Sequence, residues 1–145
     1  MPLDILIKPW QEAQKDAFEV RREVFILEQG VPEELEIDEH DPTALHVLTY
    51  SDINCIGTAR LVINSDQSGQ IGRMAILRPF RNQGIGRQMM KALIETAKAK
   101  GISCLTLHAQ VSAMPFYEKL GFIADGPSYM EAGIPHRNMM MVLLT

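Results

Sequence analysis

Cysteine is scarce in this chain: Cys55 and Cys104 are its two cysteines, and each lies alone within an apolar run. That isolation excludes a CxxC redox or zinc motif and predicts two small, reduced core residues rather than a disulfide. Long apolar runs are missing as well. No segment approaches the roughly 20 apolar residues of a membrane helix, and the opening MPLDILIKPW has no stretch of signal-peptide length. A cytoplasmic protein with no membrane partner is expected. Positive charge is also in deficit, with 14 Lys and Arg against 18 Asp and Glu and a net charge of -4. Phosphate backbones therefore feel no general attraction, and nucleic acid is not an expected partner. Linkers, repeats and low-complexity stretches are lacking too. A length of 145 residues with 46% hydrophobic content fits one domain over residues 1–145. Metal signatures fail in turn: residues 28–41 hold seven acids and no Lys or Arg, yet lack the D-x-D-x-D-G start of a calcium loop, and no zinc spacing occurs. No metal is expected, and the acidic run reads as a solvated loop that, beside a cleft, could also attract a cationic amine.

What is present alternates between the two periods of regular structure. Residues 3–8 alternate like a short strand, and residues 11–27 carry Phe18, Val20, Val24, Phe25 and Leu27 in a helical stripe. Residues 45–50, 55–63 and 71–77 are rich in Val, Ile, Leu and Thr and are separated by turn formers, which predicts a three-strand meander. In residues 84–100, Ile85, Met89, Leu93 and Ala97 recur every four positions, and Gly101 supplies a stop. A buried strand over 103–109, a short helix over 112–120 capped by Ser112 and ended by Gly121, and a final strand over 139–144 complete the order β-α-β-β-β-α-β-α-β.

The entry to the long helix carries no Ser, Asp or Asn cap but the stretch FRNQGIGRQMM, residues 80–90, with two glycines between two arginines. The first turn of a helix leaves backbone N–H groups without partners, and glycine lets a bulky anion approach them. A diphosphate could sit there, although such a pair can equally be a tight turn. The alternatives in nucleotide binding fail on spacing. A P-loop needs Gly-Lys-Ser/Thr where this chain has Gly86-Arg87-Gln88, and the dinucleotide fingerprint needs a third glycine where it has Met89.

Arg81, Asn82, Gln83, Gly84, Ile85 and Gly86 fit the pattern Arg/Gln-x-x-Gly-x-Gly/Ala, which resembles the acetyl-CoA signature of the GNAT superfamily of N-acetyltransferases. The preceding GRMAIL, the later FYEKLGF and the element order resemble that family too. RREVFILEQGVPEELEID and AGIPHRNMM are similar to its ElaA-like and YjcF-like bacterial branch, so the likeness runs over residues 21–141. The resemblance implies an α/β (α+β) fold: a mixed, mostly antiparallel sheet flanked by helices, whose fourth and fifth strands splay to hold the pantetheine arm of acetyl-CoA. It implies that Met74, Ala75 and Ile76 pair through their backbone with that arm, and that residues 81–87, Arg87 included, offer N–H groups to the diphosphate, with the arginines adding positive charge. A splayed strand agrees physically, because its unpaired backbone groups need a ligand or water.

Acyl transfer to an amine needs a neutral amine, help for the oxyanion and a proton for the thiolate. The resemblance places Tyr117 as the thiolate's general acid. It leaves a gap where many members carry an asparagine and this chain reads Ala109, Gln110, Val111, Ser112. For the base, Glu28 and His136 are the candidates, with no choice between them; His136 reads as part of a polar turn, GIPHRN, before the last strand. His46 and His108, on apolar strands, read as satisfied core residues. The expected activity is acetyl transfer from acetyl-CoA to an amine by direct attack, on a small molecule or on a peptide or protein. A non-catalytic CoA-binding or sensing module is the alternative, and a homodimer is common in the family.

Overall fold

The computed structural model describes residues 3–64 and 66–143. The chain opens with β1 (Leu3–Pro9) and α1 (Trp10–Arg21), continues through a π-helical segment (Arg22–Glu28) and a single-turn helix, α2 (Glu33–Glu36), and then forms β2 (Leu45–Ser51), β3 (Asn54–Ile63) and β4 (Ser68–Ile76). After these come α3 (Ile85–Ala99), β5 (Cys104–Gln110), α4 (Met114–Leu120), β6 (Ile123–Glu131) and β7 (Ile134–Val142). The strands make one seven-stranded sheet in the order β1-β2-β3-β4-β5-β7-β6. Only β4 and β5 run parallel, joined through the α3 crossover; the other pairs are antiparallel. This is the mixed, mostly antiparallel sheet expected.

The main core lies on the α3 face. Ile85, Met89, Leu93 and Ala97 are buried against Leu61, Ile71, Leu105, Leu107 and Met139, and each fully buried Leu, Ile or Met contributes about 2 kcal/mol. The opposite face is covered over β2 to β4 by α1, through Trp10, Ala13 and Ala17 against Leu48 and through Val20 and Val24 against Ala75.

Four expectations need correction. The final strand begins at Ile134, not at 139, and pairs with β6, a strand the sequence did not announce. The residues of β6 are mostly exposed, so the buried alternation that marks a strand is absent; residue 144 lies outside the described residues. The first helix leaves α geometry at Arg22 and continues as a π-helical segment. The short helix starts at Met114 after a 3-10 turn (Val111–Ala113), and its N-cap is Ala113 without a side-chain cap, not Ser112. Finally, the acidic run is solvated only in part: Glu28, Glu33, Glu34 and Glu39 are exposed, but its other three acids are not. Glu36, Asp38 and Asp41 bind Arg21, Arg60 and Arg73, contributed by α1, β3 and β4, in a largely buried ionic cluster.

Candidate active site

The β4–β5 ladder runs from Ser68↔Cys104 to Ile71↔Leu107 and then stops. Beyond it, residues 72–76 of β4 have no strand partner on the β5 side, while residues 108–110 of β5 remain paired to β7. The sheet therefore opens into a V at this point. A β-bulge shapes one wall: Thr58↔Ala75 and Arg60↔Gly72 place one extra residue on β4, and Arg73 takes a left-handed φ of 52°. Because of the extra residue, Arg73 joins Gly72 on the α1 face, where its guanidinium donates to the carbonyls of Leu35 and Glu36 and to Asp38. Met74 consequently turns to the α3 face and packs with the main core, and Ala75 returns to the α1 face against Val20 and Val24.

Tyr117, on α4, reaches the same place from the other side. Its hydroxyl lies 3.9 Å from the Met74 sulfur, and Phe116 and Phe122 meet its ring edge to face. Burial among these groups pushes its hydroxyl up to about 12, so it is a protonated donor throughout the neutral range.

At the mouth of the V, the loop between β4 and α3 turns through Asn82 (φ 64°) and Gly84 (φ 79°). The first helical bond of α3 runs from the Gln88 N–H to the Gly84 carbonyl. Among the described residues, no protein acceptor meets the N–H groups of residues 82–87. The two glycines serve different ends. A Cβ on Gly84 would meet nothing within 4 Å, so the residue is needed for its positive φ and leaves the space above the N–H groups open. A Cβ on Gly86 would come within 3.2 Å of Phe116 and 3.3 Å of Ile76, so this glycine lets α3 pack closely on α4 and β4.

The arginines divide as well. Arg87 is exposed at the helix start, whereas the Arg81 guanidinium is already engaged: it donates to both Glu28 carboxylate oxygens at 2.7 Å and to the Ile76 carbonyl at 2.9 Å. That fork, with Arg78 added, holds the Glu28 carboxyl below its usual range. Glu28 is thus a clamp between the π-helical segment and the glycine loop and a weakened proton acceptor, which tells against the expected base role. Likewise, the positive charge of Arg81 is spent internally rather than offered to an anion. A hollow of about 540 Å³ opens beside this clamp, lined in part by Glu23, Leu27, Glu28 and Arg78, but it includes neither Tyr117 nor His136.

His136 is not in a polar turn. It lies within β7, opposite Gln110 of β5 and Tyr129 of β6, and is buried. Gln110, in the stretch where the family's asparagine is missing, donates to Gln29 at 3.3 Å, linking the end of β5 to the segment after the π-helix across the V. His46 is the satisfied core histidine expected, with its Nε2 3.1 Å from the Asp41 carbonyl. His108 is exposed instead and pairs with Glu131. Glu131 and Tyr129 gave no sequence signal, because nothing marked β6 as a strand. Both cysteines are free, and among the described residues no group of acids, histidines and cysteines suits a metal. No helix there is long and apolar enough to cross a membrane.

Residues 10–143 match the family model of the acetyltransferase (GNAT) domain. The chain is 40% identical over 131 residues to a Bacillus subtilis (strain 168) protein described as an uncharacterized N-acetyltransferase, YjcF, covering 90% of this chain and 93% of that one. Its fold is similar to the crystal structure of Escherichia coli ElaA, with a TM-score of 0.87, 26% identity and coverage of 96% and 99%. An acyl-CoA N-acyltransferase from Pseudomonas aeruginosa gives a TM-score of 0.87 at 27% identity, again covering 96% and 99%. Splayed sheet, glycine loop and sequence likeness over nearly the whole length agree, and the chain belongs to the GNAT acetyltransferase family.

Proposed function

We propose that the protein transfers an acetyl group from acetyl-CoA to an amine acceptor by direct attack within a ternary complex. One observation carries this reading: the row of unpartnered N–H groups at residues 82–87 stands at the mouth of the V, and Tyr117 closes the V from the α4 side. A diphosphate fits the former, through helix-start N–H donors and the open space over Gly84. The backbone of Met74, Ala75 and Ile76 lines the wall along which an amide-bearing arm adds as a strand, although the Ile76 carbonyl already accepts from Arg81. Bound there, acetyl-CoA supplies the activated acyl group. Tyr117 holds the proton for the departing sulfur, and Met74 packs beneath its hydroxyl.

Heat-unfolding curves with and without acetyl-CoA, combined with thiol release across a panel of amines, test the reading. Protection by acetyl-CoA together with amine-dependent thiol release is the expected result. Protection without release by any amine favours a CoA-binding module, and no protection at all removes the cradle. Gly84→Phe should weaken acetyl-CoA binding at least tenfold while the fold persists, because it fills the space over the N–H row.

A further inference from the structure

Side chains of alternate residues share one face of a strand. Leu107 and Ala109 of β5 point into the α3-side core, so Gln110 points to the opposite face, the one that the π-helical segment covers over β4. Its level in the V follows from the ladder. The last rung joins Ile71 to Leu107, and three residues further along each strand stand Met74 and Gln110. The bulge adds a residue to β4, so Gln110 is level with residues 74–75. Met74 and Tyr117 occupy the α3 side at this level. The hydrogen bond from Gln110 Nε2 to Gln29 Oε1, at 3.3 Å, therefore crosses the V on the face away from Tyr117.

The two ends of this bond are held by different parts of the molecule. Gln110 ends β5 and stands in register with His136 of β7. Gln29 ends the π-helical segment: its N–H donates to the Val24 carbonyl at 3.1 Å, those of Gly30 and Val31 donate to Ile26 and Phe25, and Gly30 turns the chain with a φ of 74°. Its neighbour Glu28 is forked by Arg81, and Val24 packs on Ala75. Gln29 is thus anchored to the β4 side of the V and Gln110 to the β5 side. Neither carboxamide ionises in the working pH range, so the bond does not depend on pH.

We propose that Gln29 and Gln110 form the gate through which the acceptor amine reaches the acyl group, and that this gate selects slender, unbranched primary amines over branched ones. The proposal rests on the acyl-transfer reading above. Met74, Phe116 and Tyr117 fill the α3 side of the V, so the α1 face is the amine's approach to an acyl carbon lying along residues 74–76. The closed pair stands in that path. It must part to admit a nucleophile, and each carboxamide then presents both a donor and an acceptor to whatever passes between them. Width decides what passes, because one jaw is set in a strand end and the other in a helix end clamped by Arg81. Until an amine arrives, the same pair shields the thioester.

Q29A, Q110A and the double variant test this, after heat-unfolding curves have established that each binds acetyl-CoA as the wild type does. Hydroxylamine, a small neutral nucleophile, cleaves thioesters without a catalyst to acetohydroxamate and free thiol. With protein in excess, the wild type should slow this cleavage relative to free acetyl-CoA, and each single variant should speed it about fivefold, the factor that one ordinary hydrogen bond is worth. The double variant should be no faster than either single one, because one bond is lost only once. With amines that the wild type accepts, Q110A should raise kcat/KM for a branched amine relative to its unbranched isomer about fivefold, equally at every pH and with the KM for acetyl-CoA unchanged. Cleavage rates that match the wild type, additive effects in the double variant, or an unchanged ratio of branched to unbranched amine overturns the gate. Failure of acetyl-CoA to protect the wild type from heat overturns the acyl-transfer reading and the gate with it. Thermal protection without shielding overturns the gate alone, and shielding without turnover of any amine overturns the transfer reading but not the closure.

Discussion

Two glycines one residue apart look equivalent in the sequence, yet Gly84 is kept by its dihedral angle and Gly86 by its neighbours. Alanine at either position should cost about 1 kcal/mol, and a double-mutant cycle separates the causes. Phe116→Leu should relieve part of the cost of Gly86→Ala, because the Phe116 ring is one of the two groups, with Ile76, that the new Cβ would crowd, and should leave that of Gly84→Ala unchanged; denaturant unfolding of the wild type, the three single variants and the two double variants checks this. A similar distinction applies to Tyr117. Burial raises its hydroxyl to about 12, so its ionisation cannot produce a loss of activity as pH climbs through 9 or 10. Tyr117→Phe should lower kcat by about 100-fold with acetyl-CoA affinity unchanged, as expected for loss of a proton donor used only in the transition state. A fall in affinity with kcat intact would make Tyr117 a packing residue. The glycine loop and Tyr117 were legible before the fold because each sits in a short, spaced motif. Glu131 and the burial of His136 were not, because they depend on which strands lie side by side.

At the level of elements, the bulge in β4 organises the site. One extra residue puts Arg73 among the acids of the segment between α1 and β2, and by the same displacement puts Met74 under Tyr117. Deleting Arg73 should therefore remove its ionic contacts and the bulge together, while Met74 and Ala75 keep their faces, because Gly72 opposite Arg60 and Ala75 opposite Thr58 are then joined by regular alternation. Arg73→Ala keeps the bulge and should cost about 1–3 kcal/mol, and the deletion, which loses the same contacts but leaves the later β4 side chains on their faces, should retain a cooperative thermal transition. Most elements could be read from the sequence wherever one face is buried, as with α3 and its four-residue repeat. The edge strand β6 could not, because its exposed residues obey no alternation, and the true start of β7 was hidden with it. The acidic run misled for a related reason. The arginine partners of Glu36, Asp38 and Asp41 lie 15 to 37 residues away along the chain, a separation that composition does not reveal.

On the scale of the molecule, the ionic cluster sets a dependence on acid. Burial alone would raise the Asp38 carboxyl, but the Arg60 fork outweighs it, with help from the His40 N–H and Arg73, and holds it at about 2. Its reference value is 3.8. A carboxyl whose folded-state value is depressed stabilises the fold above the unfolded value, and that contribution fades as pH falls through the folded one. Asp38 therefore supplies about 2 kcal/mol above pH 4, lost between about pH 4 and 2. Asp41 is also lowered: burial opposes the shift, and Arg21, with the Asp38 N–H and Arg60, prevails. Glu36 runs the other way, because its burial exceeds what Arg21 and Arg73 return. Denaturant unfolding as a function of pH should show stability falling across that window, and Asp38→Asn should flatten the fall while lowering stability at pH 7.

The single parallel seam has a mechanical consequence. Strands β1 to β4 form one panel and β5, β7 and β6 another, stitched edge to edge by the register from Ser68↔Cys104 to Ile71↔Leu107. Such a stitch is a natural axle about which one panel can twist against the other. A molecule wedged in the V acts as a brake on that twist from one side, and the bridge of Gln29 to Gln110 acts as a stay from the other.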